Sequence, residues 1–254
     1  MSKNENPFLH VLDFKNQCLW LLLAFHAGYL NAGGYLASHQ MVSHMTGTGT
    51  MIGLSVGMKD YWIALELMLV PLSFIAGACL AGFLIDRKLV TKRQPMIING
   101  VLILISLNLM VLLGGLTGFF GEFGEPLLLQ RDFALLFTLC FACGLQNGMF
   151  VTVTAGQIRT THITGLSTDV GLNAMRILST DKNDSHRRNE VKKNYLRIKT
   201  IIGFSSGSFI SALLFTKVQY LGFLGSTAVS LIILCLCLYI NSGRAKASMP
   251  IIRD

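Results

Sequence analysis

Long apolar runs separated by short polar stretches set the rhythm of this chain. Such runs cover Cys18 to about Ser38, and then about 62–85, 96–118, 133–155, 198–216 and 220–240. Each approaches the ~20 residues an α-helix needs to cross the hydrocarbon core of a bilayer. The pattern predicts an all-α integral membrane protein with six transmembrane helices. Its predicted divisions are a cytoplasmic N-terminal segment (1–17), a three-helix unit (18–118), an external loop (119–131), a second three-helix unit (132–240) and a cytoplasmic tail (241–254). The second unit carries a basic cytoplasmic loop at 177–197. No small-residue cleavage site follows the first run, so it reads as an uncleaved helix.

One short stretch occurs twice. Residues 43–54 and 161–172 align at a constant offset of 118, with His44, Thr46, Gly47, Thr50, Gly53 and Leu54 repeated as His162, Thr164, Gly165, Thr168, Gly171 and Leu172. The flanks support a duplication. Phe25-x-x-Gly28-x-x-Asn31 returns as Phe141-x-x-Gly144-x-x-Asn147, and Ser73, Gly77 and Ala81 return as Gly203, Gly207 and Ser211. Three matches in the same order define two copies of one unit.

Composition agrees with the membrane reading. The chain is 52% hydrophobic and 13% charged, with a mean hydropathy of +0.56, against about 25% charged residues in soluble domains. The net charge of +8 is no sign of nucleic acid, because the basic residues cluster in short loops between apolar runs. Eighteen of the 21 Lys and Arg residues fall on one side of the predicted topology, leaving Lys59, Arg131 and Lys217 on the other. The positive-inside rule then places both termini in the cytoplasm of a multi-pass inner (plasma) membrane protein. The six cysteines all lie in apolar runs and read as small packing residues, Cys140-x-x-Cys143 included, since no βαβ context surrounds it.

With three spanning helices per copy, an odd number, the second copy lies upside down relative to the first. Inverted repeats recur in secondary transporters, with the site near the midplane between them. The segments 46–58 and 164–176 are too short to cross, since 13 residues of helix reach only about 20 Å. They are expected to be re-entrant or half-helices, each headed by a Thr-Gly element. Such backbone is tolerated at membrane depth only where protein buries it or it lines a cavity.

Gly28-Tyr-Leu-Asn31-Ala, Ser43-His-Met-Thr-Gly47, Gly144-Leu-Gln-Asn147 and Arg159-Thr-Thr-His-Ile-Thr-Gly165 together resemble the YoaK-type family of small bacterial membrane proteins. The resemblance spans roughly residues 18–240. It implies a multi-helix inner-membrane protein of unassigned function. Two positions depart from that family's usual pattern, Asn31 standing for Asp and Thr48 for Asn. A neutral Asn31 cannot carry the charge such an Asp would.

The candidate substrate-binding residues follow from the repeat: Asn31, His44, Thr46, Gly47, Thr48, Asn147, His162, Thr164, Gly165 and Asp169. Thr46 and Thr164 can cap helix starts, where free N–H groups and the positive dipole end favour anions; the plainer role is to stabilise a turn. His44 and His162 can change charge near neutral pH or simply tether the loop. Asn31 and Asn147 are buried amides that need partners, either substrate or the opposite half. Asp169 is the one acidic residue within the two stretches, and an ionisable group at membrane depth is a functional candidate. Glu66, Gln146 and Arg159 are candidates for coupling or gating. His26 has no counterpart, since Ala142 fills its place, and is expected to pack or hydrogen-bond. Gly77, Ala81, Gly203 and Gly207 follow the small-residue spacing of close helix packing.

The chain has no P-loop, no nucleophile elbow and no zinc-binding His/Glu motif, so no cofactor and no metal are expected. The expected partners are membrane lipid and a small solute, and the 25 glycines leave room for a homodimer. The function these features favour is a small secondary transporter or permease for a small polar or anionic solute, not an enzyme. A channel or lipid-facing facilitator, and a membrane enzyme or structural partner, are the alternatives.

Overall fold

In the computed structural model, residues 13–91, 95–125, 130–154, 160–181 and 184–247 are described. Nine α-helices occur among them: α1 (Phe14–Ser38), α2 (Met45–Gly57), α3 (Tyr61–Ala81), α4 (Arg87–Val90), α5 (Ile97–Leu116), α6 (Gln130–Val153), α7 (Ile163–Ser179), α8 (Ser185–Val218) and α9 (Phe223–Ala247). A π-helical turn, Gly82–Asp86, joins α3 to α4, and the 3₁₀ turn Gln219–Gly222 joins α8 to α9. There is no strand among the described residues.

Among the described residues, four helical stretches are long and apolar enough to cross a membrane: Tyr61–Val90, Ile97–Leu116, Phe133–Val153 and His186–Ser242, the last holding most of α8 and α9. They mark a helical membrane protein, and the belt of exposed large apolar side chains on them (Leu65, Leu72, Leu113, Phe209, Leu231) suits lipid contact. α1 is not among these stretches. Its composition explains why: Asn16, His26, Gly33, Gly34 and Ser38 dilute its apolar run, and all five are buried in the protein.

The helices pair across the two halves of the chain. α1 packs along α8, α3 along α6, and α5 against α9, while α2 lies on α3 and α7 on α8. Glycines allow the two longest pairings to close. A Cβ at Gly28 would lie 2.8 Å from Phe204 C and 3.0 Å from its Cα, and one at Gly207 would meet Phe25 at the same separations. The same interlock joins α6 to α3, where Gly144 meets Phe74 and Gly77 meets the backbone of Phe141. Ser208 and Ser211 fasten the first pair, donating to Gly28 O (3.1 Å) and Tyr29 O (2.7 Å).

The expected loop at 177–197 is corrected by the structure. α8 begins at Ser185, so most of the basic segment is helix and α8 extends over 34 residues, roughly 50 Å. Local chemistry accounts for this. Asp184 caps the helix by accepting from His186 N (2.8 Å), and Glu190 pairs with Lys193 one turn on (2.7 Å). Asn173 of α7 donates to the other Glu190 oxygen (2.7 Å) and Arg187 donates to Ile177 O (2.9 Å), binding α7 to this extension.

Among the described residues, two apolar clusters fill the interior. One gathers Leu19, Trp20, Leu23, Ile105, Met149 and Ile233; the other gathers Tyr29, Leu30, Val111, Cys143, Phe215 and Phe223. A polar layer lies between them along the helices. His26 Nδ1 bonds Gln146 Oε1 (2.5 Å), Gln146 Nε2 donates to Leu23 O (3.0 Å), and Ser230 Oγ lies 2.9 Å from His26 Nε2. Asn108 Nδ2 donates to Ser230 Oγ (2.9 Å), and Ser230 in turn reaches Ser226 O (2.9 Å). Since Leu23 O can only accept, Gln146 turns its Oε1 to His26, and His26 Nδ1 carries the proton. Four helices (α1, α5, α6, α9) thus meet in one hydrogen-bonded layer, which discourages their sliding past one another.

Candidate functional site

The repeated His-Thr-Gly stretches converge on one cavity of about 760 Å³. His44, Met45 and Thr46 line it from the start of α2, and His162, Ile163, Thr164 and Gly165 from the start of α7. Asn31 and Tyr35 of α1, Phe74 of α3, and Phe204, Ser208 and Ala212 of α8 add to the wall. The volume falls in the roughly 300–1,000 Å³ range of small-molecule sites, which are mostly apolar with a few placed polar groups.

The two helix starts have nearly the same geometry. His44 stands at the N-cap of α2 (φ −102°, ψ 72°) and His162 at that of α7 (φ −96°, ψ 60°), and neither ring caps its own helix. The capping expected of Thr46 and Thr164 is therefore displaced: both lie inside the first turn, because the helices begin at Met45 and Ile163. Their carbonyls instead accept the hydroxyls of Thr50 (3.2 Å) and Thr168 (3.1 Å), one turn on. The first-turn N–H groups at both starts lack intrahelical partners, so two positive helix ends meet one cavity.

Asn31 reaches the site as a fastener. Its Oδ1 accepts from Ser43 N (3.1 Å) and Ser43 Oγ (2.9 Å), tying the turn before α2 to α1. Asn147 occupies the equivalent place on α6 but does not line the cavity, and its Oδ1 is buried without a hydrogen-bond partner.

Other candidates lie apart from the cavity. Gly47 is packed under the His44 ring, where a Cβ would come within 2.7 Å of Cδ2, and Thr48 is buried, its hydroxyl on His44 O (3.4 Å). Gln146 belongs to the polar layer. Glu66 is half-buried on α3. Asp169 is exposed and pairs with Arg197 Nε of α8 (3.4 Å), which makes it a link between α7 and α8. Arg159 lies outside the described residues. Gly77 and Ala81 face α6, while Gly203 and Gly207 face α1. Among the described residues no group of three or more His, Cys, Asp or Glu side chains is arranged to hold a metal.

Sequence reasoning missed Tyr35, Phe74, Phe204 and Ser208 as cavity residues. Phe74 and Phe204 carried a signal, since each precedes a matched glycine by three residues (Gly77, Gly207). It also missed Asn108, Ser226 and Ser230, single polar residues in apolar runs with nothing in their neighbours to tell them from packing positions.

A family model described as "Protein of unknown function (DUF1275)" matches residues 19–239. The chain belongs to the DUF1275 family. The match covers nearly the same stretch as the resemblance drawn from the motifs, and the DUF1275 description carries neither the YoaK designation nor an activity. No curated protein and no solved structure matches this DUF1275 chain.

Proposed function

We propose that this DUF1275 protein is a secondary transporter that moves a small polar or anionic solute through the cavity between its two His-Thr-Gly stretches. The observation that carries the reading is the convergence of both repeated stretches, 118 residues apart in sequence, on one cavity. Two helix N-termini facing it favour an anion or the negative end of a dipole, and hydroxyl and imidazole groups supply hydrogen bonds. The reading takes the chain as two inverted three-helix repeats with six spans, α2 and α7 being re-entrant elements headed by Thr46-Gly47 and Thr164-Gly165. The duplicated interlocks of α1 with α8 and α3 with α6 support that relation. α2, at about 20 Å, and α7, at about 26 Å, both fall short of the ~30 Å hydrocarbon core. The charge bias supports a topology with both termini on the cytoplasmic side of the inner membrane.

The test is uptake by proteoliposomes holding the purified full chain, with a panel of small carboxylates, phosphate and neutral polar solutes. Saturable uptake and counter-transport of one class, reduced roughly ten-fold or more in His44→Ala/His162→Ala, is expected; a loss of this size corresponds to one charge-assisted hydrogen bond. Uptake that never saturates means a channel instead, and a protein that moves no member of the panel defeats the proposal.

A further inference from the structure

We propose that Asn31 and Asn147 are a pair of latches that close in alternation, the closed one setting which end of the helix bundle the cavity opens toward. This rests on the transporter reading and adds the residues that switch it. Asn31 Oδ1 holds both the backbone N–H and the hydroxyl of Ser43, so the turn leading into α2 is fastened to α1. The repeat places Asn147 and Thr161 in the corresponding positions on α6 and ahead of α7. There the bond is not made: Asn147 Oδ1 and Thr161 Oγ1 are each buried without a partner. One half is latched and the other is open.

The cavity has the same asymmetry. Asn31 and Tyr35 of α1 and Ser208 and Ala212 of α8 line it. Their counterparts in the repeat, Asn147, Val151, Ala78 and Gly82, do not. Apart from Phe74 of α3, the long-helix part of the wall therefore comes from one cross-half pair, α1 with α8, although the α3–α6 pair is built on the same glycine interlock. An unpartnered buried carbonyl and hydroxyl destabilise the arrangement that holds them, so the second half gains when Thr161 reaches Asn147. If the two halves exchange conformations, the Asn31–Ser43 bond opens as the Asn147–Thr161 bond forms. The cavity is then lined by Asn147, Val151 and Ala78 and opens at the opposite end. Such an exchange is how two related halves give alternating access around a fixed site.

Single reporter cysteines in the full chain, with the six native cysteines replaced, test the inference. Ser208→Cys reports the cavity seen here and Ala78→Cys reports its counterpart, each labelled by a membrane-impermeant maleimide in right-side-out and in inverted vesicles. Asn31→Ala is expected to lower labelling at 208 and raise it at 78 from the opposite membrane face, each roughly five- to ten-fold, the shift expected from losing one buried hydrogen bond. Asn31→Asp keeps the acceptor oxygen and should restore the original labelling. If Asn31→Ala does not fold, an Asn147→Cys/Thr161→Cys crosslink serves instead, closing the second latch and protecting position 208. Unchanged labelling at both positions, or the same change at both, overturns the latch. Labelling reads conformation without solute: a shift with no transport upholds the latches and removes the transporter reading, whereas transport with no shift does the reverse.

Discussion

Gly28→Ala tests the packing on which the whole arrangement depends. The added methyl would lie 2.8 Å from Phe204 C and 3.0 Å from Phe204 Cα, with the carbonyl oxygen nearer still. Carbon–carbon contacts are optimal at roughly 3.5–4.0 Å, so α1 and α8 must separate by about 0.7 Å or more. The obstacle is backbone, which cannot swing aside as a side-chain tip does. Overpacking of this kind costs about 1–3 kcal/mol, and separation also lengthens the Ser208 and Ser211 bonds to Gly28 O and Tyr29 O. Against this stands the gain of up to ~1 kcal/mol from replacing glycine by alanine in a helix. The net expectation is destabilisation by about 1–3 kcal/mol. Gly144→Ala should match it, because Gly144 meets Phe74 in the same way. Gly53→Ala is the control: nothing lies within 4 Å of its Cβ position, so only the helix gain remains. Reversible unfolding in mixed micelles, followed by circular dichroism, measures all three. If Gly28→Ala and Gly144→Ala prove as stable as Gly53→Ala, the close crossings are wrong.

Further outcomes follow from the remaining geometry. Gln146→Leu removes the acceptor at His26 Nδ1 and the donor to Leu23 O, and should cost about 1–3 kcal/mol in the same unfolding assay, where a neutral result would show the layer to be dispensable. Asn173→Ala breaks the 2.7 Å bond to Glu190, a charge-assisted contact of about 1.5–3 kcal/mol; hydrogen exchange over α7 should quicken while that of α1 stays unchanged. Thr46→Cys and Thr164→Cys both point reporters at the one cavity, so bifunctional maleimides should crosslink them, and failure with long as well as short reagents would separate the two stretches. His44→Ala and His162→Ala, made singly, should each impair solute uptake, since both rings line the cavity; an effect from only one of them would end the notion of a paired site.

What the chain order determined by itself was local or periodic. Apolar runs near membrane length marked the helices, and recurrence at a fixed offset marked His44-x-Thr46-Gly47 and His162-x-Thr164-Gly165 as a pair. Small-residue spacing at Gly77 and Ala81, and at Gly203 and Gly207, marked packing faces, because a helix displays every fourth residue on one side. The helical start of α8 at Ser185 was hidden by its charge: a basic segment reads as loop, yet Asp184, Glu190 and the bonds from α7 hold it helical. Only the tertiary structure decided which helix lies against which, since pairing α1 with α8 and α3 with α6 depends on surfaces more than a hundred or only several dozen residues apart, not on order along the chain. The same holds for the polar layer, where His26 meets Gln146 and Ser230 at separations of 120 and 204 residues. It holds too for the difference between Asn31 and Asn147, identical residues in matching contexts. A hydrogen bond forms or fails over tenths of an ångström, a distance no repeat in the sequence encodes.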